Sequence, residues 1–108
     1  MDSLCIIAVV ERGKADKIVD EAKKVGARGA TIFYGRGTGE SEVKRFLNIH
    51  IESSKEIILV LSDDEKYKTI FDAMIDAGKL NEPGKGIIFT MPILDIAGIN
   101  NNIKNVPQ

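Results

Sequence analysis

The sequence predicts an α+β domain with the element order β-α-β-β-α-β, and three observations predict it. Four short runs, at residues 4–10, 30–34, 56–61 and 87–91, are rich in aliphatic, β-branched and aromatic residues. Two other segments, one after the first run and one after the third, carry apolar residues at helical spacing. Glycine and proline punctuate the chain between these stretches.

The elements follow in order. Leu4-Cys5-Ile6-Ile7-Ala8-Val9-Val10 is a first strand, broken by Glu11-Arg12-Gly13. From Lys14 onward, Ile18, Val19, Ala22 and Val25 share one helical face, and Gly26 supplies a C-terminal stop, so a helix is expected over 14–25. Ala30-Thr31-Ile32-Phe33-Tyr34 is the second strand and leads into Gly35-Arg36-Gly37-Thr38-Gly39. Glycines at alternate positions mark backbone that turns sharply or comes close to something, because glycine alone takes positive φ without steric cost. Val43, Phe46 and Leu47 recur at helical spacing and predict a short helix over 41–47. Residues 48–55, where Ile49 and Ile51 alternate with His50 and Glu52, read as an edge strand or a loop.

Glu56-Ile57-Ile58-Leu59-Val60-Leu61 is the third strand. In the following Ser62-Asp63-Asp64-Glu65, the serine and glutamate have the spacing of a capping box. Tyr67, Ile70, Phe71, Met74 and Ile75 then form an amphipathic stripe, and Gly78 ends the second helix. Residues 81–86 make a second glycine-bearing loop before the fourth strand, Ile87-Ile88-Phe89-Thr90-Met91, which Pro92 halts. Asn100-Asn101-Asn102 predicts a turn, and Val106-Pro107-Gln108 a frayed end.

This order is that of the ferredoxin-like split βαβ unit, a four-stranded antiparallel sheet with two helices on one face. A sheet with one face in water alternates apolar and polar residues. The first and third strands are instead apolar throughout. Both faces must therefore be covered, and two helices cover only one. The second face is expected to be buried against copies of the same chain, in a closed dimer or trimer.

At 108 residues the chain is expected to be a single domain, 1–108. Fifteen basic against sixteen acidic residues give no electrostatic footprint for nucleic acid or an anionic membrane. The longest apolar run, seven residues with no basic stretch before it, predicts no membrane insertion and a cytoplasmic location. The single cysteine, Cys5, lies within that run and reads as a buried, inert thiol.

Catalytic machinery is not evident. The one histidine, His50, reads as a surface residue, and no Cys/His spacing suits a metal. Asp63-Asp64-Glu65 suits the first turn of a helix better than a cation site. His50 with Glu52 is the whole basis for a metal-binding or enzymatic reading, so no enzyme and no metal are expected. The two glycine loops carry more. Each joins free backbone N–H groups to a cation, Arg36 in the first and Lys85 in the second, as anion-binding loops do. The plain alternative is that both are turns.

Several pieces in this order resemble the P-II signalling family: Gly26-Ala27-Arg28-Gly29-Ala30-Thr31, Gly37-Thr38-Gly39, Ala77-Gly78-Lys79-Leu80, and Pro83-Gly84-Lys85-Gly86-Ile87-Ile88-Phe89. The resemblance covers most of the chain, from Leu4 to about Ile93. It implies a compact homotrimer with ATP or ADP as ligand, not as a required cofactor, in clefts between subunits. It also implies a loop after the second strand that contacts a target protein such as a transporter or a metabolic enzyme. By position, Gly37, Thr38 and Gly39 would contact the ligand at the loop base, and Gly84, Lys85 and Gly86 from the second loop. Gly29 and Thr31 would come from the adjacent subunit, and Val60 would line the cleft.

The chain also departs from the family pattern. The long tyrosine-bearing loop is replaced by a short stretch, so uridylylation is not expected, and Glu40 stands where arginine is frequent. Asn81-Glu82-Pro83 is inserted, and Gly84-Lys85-Gly86-Ile87 replaces a Gly-Asp-Gly-Lys ending. Asp95-Ile96-Ala97-Gly98-Ile99 lies where two arginines usually follow the fourth strand. Arg36 and Lys85 are expected to replace part of that charge. The expectation is a regulatory protein that binds a small anionic ligand, such as an adenine nucleotide, between subunits. The alternative is an interaction module without a small ligand, in which Val43, Phe46 and Leu47 dock on a partner.

Overall fold

The computed structural model of the chain describes the backbone of residues 3–38 and 52–98, and the side chains of 3–37 and 54–98. The order is β1 (Ser3–Glu11), α1 (Ala15–Lys24), β2 (Thr31–Thr38), β3 (Glu52–Asp63), α2 (Tyr67–Gly78) and β4 (Gly86–Ile93). The four strands form one antiparallel sheet in the order β2-β3-β1-β4, and the expected βαββαβ arrangement is present. The helices pack on each other and on the two central strands.

The continuous apolar runs are sorted by the strand period of two. Ile6, Ala8 and Val10 of β1 and Ile58 and Val60 of β3 are buried, under Ile18, Ala22, Ile70 and Met74 of the helices. The neighbours of these strand residues point to the other face. There the register aligns Met91, Cys5 and Leu61, then Phe89, Ile7 and Leu59, then Ile87, Val9, Ile57 and Phe33. Phe33, Leu61, Ile87, Phe89 and Met91 are exposed in the single subunit. Contiguous exposed apolar faces of this kind mark sites of association.

Local chemistry explains where the helices begin and end. At the start of α1, the one buried charged side chain among the described residues, Glu56 of β3, accepts hydrogen bonds from Gly13 N (2.9 Å) and Ala15 N (2.8 Å) on a single oxygen, Oε1. Two of the orphan donors of a helix N-terminus are thereby satisfied from across the sheet. Gly26, at φ 118°, closes α1 as expected. Its N–H reaches the Lys23 carbonyl (3.2 Å) and that of Ala27 reaches Ala22 (3.0 Å), the paired bonds of a Schellman stop.

Three expectations are corrected. The capping box does not form: β3 runs on to Asp63, which keeps Ser62 within the strand, and α2 begins only at Tyr67, behind a turn that Asp63 closes. Asp63 Oδ1 accepts from Glu65 N (3.0 Å) and Lys66 N (2.9 Å), while the Ser62 hydroxyl donates to the Asp63 carbonyl (3.0 Å). α2 ends at Gly78 as expected, and the left-handed residue that follows it is Lys79 (φ 54°). Gly78 is needed for room, since a Cβ there would lie 2.8 Å from Ile18 Cδ1 on α1. Pro92 does not halt β4. It sits inside the strand opposite Leu4, and β4 is an edge strand, where a missing N–H can face solvent. The third correction concerns the glycines. β2 continues through Gly35, Arg36, Gly37 and Thr38, which pair with Lys55, Ser54, Ser53 and Glu52. The helix expected over 41–47 and the turn at 100–102 lie outside the described residues.

Candidate functional site

Gly35 and Gly37 are strand residues, and neither is among the glycines at positive φ. Their alternate spacing puts both missing side chains on the same face of β2, the face on which Phe33 lies. What they admit is neighbouring side chains. A Cβ on Gly35 would lie 2.9 Å from Ile57 Cδ1, and one on Gly37 would lie 3.4 Å from Lys55 Cγ and Cε. The Lys55 ammonium crosses to Glu11 Oε1 at 2.9 Å, so this end of the apolar face is closed by an ion pair.

The opposite face of the same hairpin carries Tyr34 and Arg36. There an open recess of about 410 Å³ is lined by Arg12, Tyr34, Gly35, Arg36 and Ser54. The Arg12 N–H donates to the Ser54 carbonyl (3.3 Å), and its guanidinium lies 5.7 Å from the centre of the Tyr34 ring. That separation is within cation–π range.

The second loop, residues 79–86, is built of successive turns: Glu82 N bonds Lys79 O (3.0 Å) and Lys85 N bonds Glu82 O (3.4 Å). Gly84 (φ 81°) and Gly86 (φ 133°) both require left-handed backbone, and a Cβ on Gly86 would collide with the Val9 carbonyl oxygen. Lys85 stands exposed between them.

The register fixes how far apart these pieces are. Tyr34, Glu56, Val10 and Gly86 form one row across the sheet. Gly86 is therefore at the same end as the glycine stretch of β2 but on the opposite edge, three strand steps or about 14 Å away. Thr31 opens β2 opposite Leu59, about 20 Å along the strand from Gly37. Gly29 is exposed in the α1–β2 connection. Arg36, Gly37 and Thr38 are thus together, as are Gly84, Lys85 and Gly86, but one subunit unites neither these two groups nor either of them with Gly29 and Thr31. Val60 is a correction: it is 0% exposed on the helix-covered face, opposite Ile6, so its side chain lines no surface cleft. Gly39, Val43, Phe46, Leu47 and His50 lie outside the described residues.

Arg12, Tyr34, Ser54 and Lys55 were not singled out from the sequence. Tyr34 and Arg36 become legible as a pair once β2 is carried through the glycines, since alternate strand residues share a face. Arg12 and Ser54 join them only through the tertiary register. Burial pushes the Cys5 thiol above its ordinary value, in keeping with an unreactive cysteine. Among the described residues no group of His, Cys, Asp and Glu is arranged to hold a metal, and no helix is long and apolar enough to cross a membrane.

A family model described as nitrogen regulatory protein P-II matches residues 4–102. No curated protein matches the chain significantly. Among solved structures the fold is similar to that of GlnK of B. subtilis in its complex with ATP, with a TM-score of 0.68 at 18% identity over 85% of this chain and 82% of that one. It is also similar to Arabidopsis thaliana PII bound to citrate, with a TM-score of 0.64 at 20% identity over 85% of this chain and 78% of that one. At such identities the likeness speaks to the fold.

Proposed function

Because the chain belongs to the nitrogen regulatory protein P-II family, a family of regulatory signalling proteins and not of enzymes, we propose that it is a homotrimeric sensor of a small anionic ligand. The ligand class is an adenine nucleotide, ATP or ADP, bound between subunits, and its binding alters contact with a target protein. The observation that carries this reading is the separation of the two glycine-bearing segments. They stand at one end of the sheet on opposite edges, about 14 Å apart, too far to grip one phosphate group within a subunit. Association through the apolar face is the arrangement that brings one edge of a subunit toward another edge of its neighbour.

In this reading Gly37, Thr38 and Gly39 offer backbone N–H groups from the first segment, and Gly84, Lys85 and Gly86 from the second. Gly29 and Thr31 are contributed by the adjacent subunit. Lys85, exposed between two left-handed glycines, is the phosphate cation. Calorimetric titration of the chain with ATP and with ADP tests the reading. Saturable heat with one nucleotide per subunit is expected, weakened about tenfold by Lys85→Gln. No heat with either nucleotide at millimolar concentration removes the ligand half of the proposal. A light-scattering mass near the single-chain 11.8 kDa removes the trimeric half.

A further inference from the structure

We draw no further inference here: the strongest candidate, the exposed apolar segment at residues 94–98 that follows β4 with Leu94 92% and Ile96 43% exposed, carries nothing because nothing in the structure shows what covers it.

Discussion

Glu56 offers the sharpest test of how this fold is held. Its carboxylate is 8% exposed and bonds Gly13 N at 2.9 Å and Ala15 N at 2.8 Å, tying the head of α1 to the middle of β3. Each hydrogen bond to a charged acceptor contributes about 1.5–3 kcal/mol. The two are not equally costly to lose. Gly13 is exposed and regains water, whereas Ala15 is 0% exposed and keeps an unsatisfied donor, at roughly 1–3 kcal/mol. The N-terminal end of the helix macrodipole adds up to about 2 kcal/mol for a partly buried anion. Glu56→Ala should therefore cost about 4 kcal/mol. Glu56→Gln keeps an acceptor oxygen and loses only the charge, and should cost about 1.5 kcal/mol. Urea unfolding at neutral pH and fixed subunit concentration measures both, the concentration being held because association contributes to stability. If the glutamine variant is as damaged as the alanine variant, charge and geometry have been wrongly apportioned. If alanine costs under about 1 kcal/mol, the carboxylate is not what anchors α1.

Three further outcomes follow from the same structure. Gly86→Ala, at φ 133° and against the Val9 carbonyl, should cost more than about 2 kcal/mol in the same unfolding assay; a near-neutral result would mean that β4 starts elsewhere. Lys79→Gly should stabilise by about 0.5–1 kcal/mol, because Lys79 sits at φ 54°, where a side chain is penalised and glycine is not; a loss of stability would contradict the left-handed stop. Phe89→Asp places a charge in the middle of the open apolar face, in the row of Ile7 and Leu59, and, if the proposed trimer forms through this face, should reduce the light-scattering mass toward the single-chain 11.8 kDa; an oligomer mass unchanged by the substitution would show that subunits meet elsewhere.

The candidate site was only partly readable in advance, and the glycine stretch of β2 shows why. Locally, Gly35-Arg36-Gly37-Thr38-Gly39 has the composition of a turn. Whether such residues turn or extend depends on a partner strand, and β3 supplies Lys55, Ser54 and Ser53 as far back as Glu52. Pairing set the backbone, and the glycines then served to admit Ile57 and Lys55. Pro92 was misjudged for the same reason, since a proline ends an inner strand but is tolerated at the edge that β4 occupies. The Ser62 and Glu65 pattern was outweighed when β3 held Ser62 in the sheet.

By itself the sequence determined the element order, the Gly26 stop and the double-sided hydrophobicity of the central strands. These are local or periodic properties, written in residue spacing. Only the tertiary structure decided which alternate residues are core and which form the open face. It also decided that the two glycine segments stand on opposite edges, and that Arg12 meets the Tyr34 ring across the hairpin. Each of those facts depends on register between strands distant in sequence, and register is fixed by the packing of the whole sheet and its helices, not by any segment alone.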